Sequence, residues 1–398
     1  MKNYTKKVYI AGASRTAIGN MGGTLKNISA AKLGSLLISE MLKKCNLEND
    51  CLSGAIIGNV LQAGTGQNPA RQCALLAGLS ETLPCFTVNK VCGSAMKAVE
   101  IAFRYIQAGF GQIYIAGGIE SMSNSPYLSP ATRWGAKLGN AELTDGIISD
   151  GLWCPYSNKH MGQVADEMAS RYGVSRQQQD LFSFESNSKA LKAIENGSFK
   201  DEIVPVIIEN KKGNIVFDTD ERPRQDASIE NLAKLKPAFL KDGTITAGNS
   251  SGINDGAAML LLASEEAVAN YNLNALAEII SAEEISTIPE NFGIAPAGAI
   301  KKALDSSGLG LKDIGLFEIN EAFAAQCLCL LKEIDIDTKL LNVNGGAISL
   351  GHPIGASGAR IIVTLLHEML KRNTMLGLAS LCIGSGEAMA LIIKGLLS

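Results

Sequence analysis

The chain has 398 residues, 46% hydrophobic and 19% charged, with 41 glycines and 5% aromatics, enough for two or three compact units at roughly 150 residues each. The 36 Lys and Arg against 39 Asp and Glu leave a net charge of −3, which excludes the basic surface of a general nucleic-acid or anionic-membrane binder. The hydrophobic content excludes disorder.

In chain order, residues 8–11 read as a first strand, with no secretory leader before them. Residues 55–60, 86–89 and 112–116 read as further strands. Between the last two, residues 93–108 carry Ala95, Met96, Val99, Ala102, Phe103 and Ile106 at helical spacing, with Gly109 as the stop. Strand, helix and strand within about 30 residues make a βαβ unit and predict a parallel sheet covered on both faces. Residues 120–248 differ. They hold both tryptophans, a polar helical stretch at 175–196, and a segment at 209–242 with seven basic and seven acidic residues. This reads as an insertion on the first half, facing a substrate. The last third repeats the plan, with strands at 316–319 and 341–343, a helix at 355–371, and closing strands at 376–383 and 388–394. Ile57-Gly58-Asn59 matches Glu318-Ile319-Asn320, and Val88-Asn89 matches Val343-Asn344, which suggests duplicated α/β halves. The apolar run 375–397 is broken by Glu387 and Lys394 and reads as buried strands, not as a membrane span.

Nine cysteines without a Cys-x-x-Cys pair predict free thiols in a reducing, cytoplasmic setting. Cys92 ends a strand, and Gly93 and Ser94 open a helix behind it, where the dipole and free N–H groups favour a thiolate and can bind an oxyanion. Position alone slightly favours a buried structural cysteine. His352 lies in a run of small residues (342–360, NVNGGAISLGHPIGASGAR) that lets a ligand approach closely, which suits a general base. A structural histidine stays open. Neither a P-loop nor G-x-G-x-x-G is present. Cys382 precedes Ile383-Gly384-Ser385-Gly386, and Asn320-Glu321-Ala322-Phe323 offers an amide at another strand exit. Together these suggest a Cys–His–Cys constellation at the carboxyl ends of strands. The three histidines show no metal-ligand spacing, so no metal is expected.

The segments VCGSAMKA (91–98), GGIESMSNSPY (117–127), AGNSSGINDGAA (247–258), NEAFA (320–324), NGGAISLGHPIGASGAR (344–360) and LCIGSGEAMA (381–390) resemble, in order and nearly end to end, the signature segments of thiolases. The resemblance implies duplicated α/β halves in a layered αβαβα arrangement with an inserted loop domain. The expected boundaries are 1–119 with 249–272, 120–248, and 273–398. It implies a short-chain biosynthetic activity, the reversible condensation of two acetyl-CoA to acetoacetyl-CoA and CoA through an acetyl-cysteine, with no cofactor. By this resemblance Cys92 is the nucleophile, His352 activates it, and Cys382 moves the substrate α-proton. Asn320 holds a water in one oxyanion hole, and the N–H groups of Cys92 and Gly384 form the other. His160 and Met161 fall beside the acyl pocket, Ser251 beside the pantetheine arm and Arg224 near the nucleotide. Leu152, Phe239, Ala247, Ala322 and Phe323 line the pocket. The family implies a dimer or a homotetramer built as a dimer of dimers, with the homotetramer expected. One departure is Ala95, where the Cys-Gly-Ser-Gly motif has glycine, which is expected to narrow the space behind the nucleophile. Two alternatives stand beside this reading: a broader-chain 3-ketoacyl-CoA thiolase, and a non-catalytic CoA-binding relative.

Overall fold

The computed structural model describes residues 6–211 and 213–396; residues 1–5 ahead of the first strand and Lys212 of the charged segment lie outside these. Ten strands share one sheet: β1 Val8–Arg15, β2 Gly19–Asn20, β3 Gly54–Gly58, β4 Cys85–Val88, β5 Ile113–Ser121, β6 Asn254–Ser264, β7 Ala277–Ser286, β8 Leu316–Ile319, β9 Leu376–Ile383 and β10 Glu387–Gly395. Their order is β8-β9-β10-β7-β1-β6-β5-β3-β4, with β2 beside β6. At the centre β1 and β7 pair only through Tyr9–Glu278 and Ile10–Ala277, so the sheet is two halves joined at a narrow seam.

Side chains alternate across each strand with period two. In the first half Ile57, Ile113, Ile115 and Ile119 face the outer helices Ala30–Cys45 and Pro69–Leu76. Ile56, Tyr114 and Ala116 face inward, onto the helices Ser94–Ala108 and Ser357–Arg372. Leu381, Met389, Leu391 and Ile393 of the second half reach that same inner core. The helix Ala295–Ser307 covers the far face, with Leu378, Ala390 and Ile392 beneath it. The layers therefore run αβαβα, and one helix pair serves as the shared core of two half-sheets.

The expectation of a parallel sheet holds only in part. β3 is parallel to β4 and β5, and β8 to β9, whereas β5–β6, β6–β1, β1–β7, β7–β10 and β10–β9 are antiparallel. The three residues Gly384–Gly386 between β9 and β10 are too few for a parallel crossover, so that pair must be a hairpin. The strand expected at 341–343 is a single bridge, Phe317 to Leu341. Asn342 turns left-handed at φ 44 and pairs through its side chain instead. Its Oδ1 accepts from the Ile319 N–H and its Nδ2 donates to the Ile319 carbonyl, both at 2.8 Å.

The 120–248 segment holds the helices Met161–Arg171 and Arg176–Glu195, each opened by a capping box, at His160 and Ser175. It is anchored to β1 by a buried ion cluster. Arg15 donates to Glu202 at 2.6 Å and to both oxygens of Asp220 at 2.7 and 2.9 Å. Among the described residues no helix is long and apolar enough to cross a membrane.

Candidate active site

Cys92 stands on a tight turn between β4 and its helix. Val91, immediately before it, is β-branched yet left-handed at φ 47, a conformation that costs about 1–3 kcal/mol unless the surroundings enforce it. They do. Asn89 Oδ1 accepts from the Val91 N–H at 3.0 Å, and Ser94 Oγ accepts from the Lys90 N–H at 2.8 Å while donating to the Val91 carbonyl at 2.7 Å. Burial pushes the Cys92 thiol up to about 11, against the pull of the Gly384 and Cys92 backbone N–H groups, and the Glu120 charge adds to the rise. Cys382, at the end of β9, is buried; desolvation and then the charge of Cys92 push its thiol up. The two sulfurs thus sit in each other's field. The expected crowding from Ala95 is relieved opposite the residue. A Cβ on Gly118 of β5 would stand 2.6 Å from the Ala95 methyl, so the bare glycine provides that room.

His352 is held at three points. Its N–H donates to Asn254 Oδ1 at 2.9 Å, and its Nδ1 lies 2.6 Å from Ser357 Oγ. Gly351 before it turns at φ 114. Ser357 has one hydroxyl proton and donates it to the Pro353 carbonyl at 2.9 Å. Its oxygen therefore accepts from Nδ1–H, and the network assigns the free lone pair to Nε2. Burial, and then the Arg360 charge, push the imidazole down to about 3. Nε2 is buried without a partner among the described residues, as are both amide atoms of Asn320 at the exit of β8. Buried polar atoms are normally paired, so these three are free to bond polar atoms of a ligand.

Met161 and Gly384 lie beside each other, next to Val91. A Cβ on Gly384 would lie 3.7 Å from the Met161 sulfur and 3.6 Å from Val91. Met161, Ala322, Phe323 and Cys382 share one apolar cluster, with Phe239 against it. His160 stacks on Phe239 at 4.7 Å and 21°, and Phe239 meets Phe323 edge-on at 6.2 Å. His160 Nδ1 accepts from the Gly162 N–H at 3.0 Å, which leaves Nε2–H as a donor. Leu152 packs with Cys92 against Val60, Leu61, Met122 and Ile354. The Ser251 N–H donates to the Ala322 carbonyl at 2.9 Å.

Arg224 and Ala247 sit apart from the thiols, in a cavity they share with Asn187, Arg222 and Ser349. Arg224 is clasped through its backbone by Asn187, at 2.9 and 2.8 Å. Sequence reasoning missed Arg222, although it stands two residues away. It bonds the Ile348 and Ser250 carbonyls at 2.8 and 3.0 Å, and burial, with the Arg224 charge, pushes it down to about 10. Two neighbouring guanidiniums, one of them bonded only to carbonyls, make a cationic pocket suited to an anionic group. Asn254, Ser357 and Glu120 were missed too, although all three lie in the quoted segments.

Two family models match the chain, the thiolase N-terminal domain over residues 8–266 and the thiolase C-terminal domain over residues 273–395. The chain is a member of the thiolase family. It is 48% identical to an acetyl-CoA acetyltransferase of Pseudomonas aeruginosa over 97% of this chain and 98% of that protein. It is 46% identical to an acetyl-CoA acetyltransferase of Syntrophomonas wolfei over 98% of this chain and all of that one. The crystal structure of the Bacillus anthracis acetyl-CoA acetyltransferase superposes with a TM-score of 0.96 at 42% identity, covering 98% of this chain and 99% of that chain. As a thiolase, the protein is an acyltransferase.

Proposed function

We propose that this thiolase is an acetyl-CoA C-acetyltransferase that reversibly joins two acetyl-CoA into acetoacetyl-CoA and CoA. The observations that support the reading are the half-buried Cys92 thiol acting on the buried Cys382 thiol, an unpartnered imidazole nitrogen on His352 and an unpartnered carboxamide on Asn320. With the thiol pushed up to about 11 and the imidazole down to about 3, the neutral pair is the resting state. The Cys92 proton therefore moves to His352 Nε2 only as sulfur attacks the acetyl carbonyl. The N–H groups of Cys92 and Gly384 bind the developing oxyanion, and the departing CoA sulfur takes the proton of Cys382. The Cys382 thiolate then removes the α-proton of a second acetyl-CoA. Asn320, through a water, and His352 hold the enolate oxygen while its carbon attacks the acetyl-cysteine. Cys92 leaves and recovers its proton from His352. The chemistry needs no metal or organic cofactor, because each charge that develops has a donor or a base facing it.

Arg224 and Arg222 take the CoA phosphates, Ser251 lies along the pantetheine arm, and Leu152, Ala247, Ala322 and Phe323 line the way in. The His160–Phe239–Phe323 stack beside Met161 limits the acyl chain, which favours acetyl over longer groups. A homotetramer in the cytoplasm completes the reading. The test is thiolysis of acetoacetyl-CoA against a C8 3-ketoacyl-CoA. The short substrate is expected to win by at least about tenfold in kcat/KM, the order of one unaccommodated methylene or more. Comparable efficiencies would sink acetyl specificity in favour of the broad-chain alternative.

A further inference from the structure

Glu120, at the end of β5, is buried and touches none of the reacting groups named above, yet its carboxylate is fully engaged. Oε1 accepts from Asn59 Nδ2 at 2.7 Å and from the Leu61 N–H at 3.2 Å. Oε2 accepts from the Val60 N–H at 3.2 Å and from the Gly355 N–H at 2.9 Å. Those four donors come from two places that bracket the nucleophile. Residues 59–61 follow β3, and Val60 and Leu61 belong to the apolar cluster against which Cys92 packs. Gly355 is three residues beyond His352, in the loop that also supplies Ile354 to that cluster.

The fit is close on every side. A Cβ on Gly355 would stand 2.6 Å from Glu120 Oε2 and 2.6 Å from the Ile119 carbonyl. One on Gly118 would collide with the Gly355 carbonyl, and one on Gly358 would stand 2.5 Å from the Met96 nitrogen. The His352 loop is thus laid directly on β5 and on the Cys92 helix, and among the described residues Glu120 is the one carboxylate bonded to both the loop and the 59–61 turn. Asp255 on β6 and Cys92 are the charged or titratable neighbours that act on it or feel it. Burial pushes its carboxyl up to about 7, while the Leu61, Gly355 and Val60 N–H groups pull the other way.

We propose that Glu120 is a positioning residue for acyl transfer. Its carboxylate fixes the distance between the His352 loop and Cys92, so that Nε2 can take the thiol proton as the C–S bond forms. This rests on the assignment of Cys92 and His352 made above. A carboxylate is required because each oxygen must accept two bonds. In Glu120→Gln the amide NH2 would face two N–H donors, and one side of the clasp would open.

The experiment compares Glu120→Gln, Gly355→Ala and the wild type in steady-state thiolysis of acetoacetyl-CoA from pH 6.5 to 10, on protein that elutes like the wild type. Gly355→Ala keeps the carboxyl group but sets a methyl against Glu120 Oε2 and the Ile119 carbonyl, which forces the loop off β5. At pH 8, where the Glu120 carboxyl is ionised, both variants are expected to lose at least about tenfold in kcat with KM within about threefold. The deficit should shrink above pH 9, where the thiol begins to ionise without help from the base. Either variant retaining kcat within twofold at pH 8 would overturn the proposal. So would a deficit equal at every pH, which is the mark of a merely damaged fold. If wild-type enzyme carries no acetyl group on Cys92 after exposure to acetyl-CoA, the underlying assignment fails instead. The two failures are therefore distinguishable.

Discussion

Asn320 and Glu321 are chain neighbours, both buried, both polar, and opposite in how they are bonded. Glu321 is satisfied. It accepts from Ser186 Oγ at 2.7 Å, from Asn342 Nδ2 at 2.8 Å and from the Ile348 N–H at 3.2 Å. Asn320 has neither amide atom paired among the described residues. The same contrast separates the Arg15–Glu202–Asp220 cluster, where every charge meets its opposite, from the His352–Asn320 centre. A buried polar group that is fully bonded belongs to the architecture. Buried atoms of Ser14, Asp166 and Gln179 are also without a partner among the described residues, so it is the strand-exit placement of His352 and Asn320 in the thiolase segments that makes theirs candidates for the chemistry.

That contrast can be broken by substitution, and the largest effect falls on the open side. Cys92→Ser should lower kcat by about four orders of magnitude or more, as loss of a nucleophile does, with the melting temperature little changed. Thiolysis rates with a thermal melt on the same sample check this. Alkylation by iodoacetamide comes next. Because the thiol is pushed up to about 11 and the imidazole down to about 3, alkylation of the free enzyme should climb about tenfold per pH unit from 7 to 10. A plateau across that range would reveal a thiolate–imidazolium pair and contradict the neutral resting state.

On the closed side, Arg15→Met leaves two carboxylates buried without their partner and should cost about 3–5 kcal/mol of stability. The kcat of the molecules that remain folded should be unchanged. Urea unfolding followed in parallel with activity separates the two. The neighbouring pair sharpens the comparison further. Asn320→Ala should cost about 10²–10³ in kcat and almost nothing in stability, since no intramolecular bond is lost. Glu321→Ala strands three donors and should cost about 1–3 kcal/mol of stability for such a buried group. Equal losses of stability in the two variants would contradict this difference between Asn320 and Glu321. The smallest effect is expected of Arg224→Ala, a several-fold rise in KM for CoA substrates that shrinks at high salt as exposed charges are screened.

Much of this architecture was readable in the residues. The strand–helix–strand pattern, the stop at Gly109 and the match of Ile57-Gly58-Asn59 to Glu318-Ile319-Asn320 foreshadowed two similar halves. The glycine-rich exits pointed to Cys92, His352 and Cys382 as candidates, and the family resemblance added Gly384. What stayed hidden depends on long-range pairing. β6 follows β5 after an excursion of more than a hundred residues and pairs with it antiparallel, and nothing local records that direction. Residues 341–343 have the composition of a strand, but Asn342 spends its side chain replacing the ladder. Arg222 was invisible because a charged residue in a charged segment looks solvated, and only the folded chain shows it against two carbonyls. Glu120 was invisible for the opposite reason: its four partners come from 59–61 and from Gly355, distant in sequence.

The central claim is that acyl transfer passes through Cys92 in a site where His352 and Asn320 are kept open for it. The most direct measurement is mass spectrometry of the protein quenched in acid after mixing with acetyl-CoA, with the adduct located by peptide mapping. The account predicts a single acetyl group on Cys92 that disappears when CoA is added and is absent from Cys92→Ser. An acetyl group residing on Cys382 or on any other of the nine cysteines, or turnover with no adduct on Cys92, would contradict it.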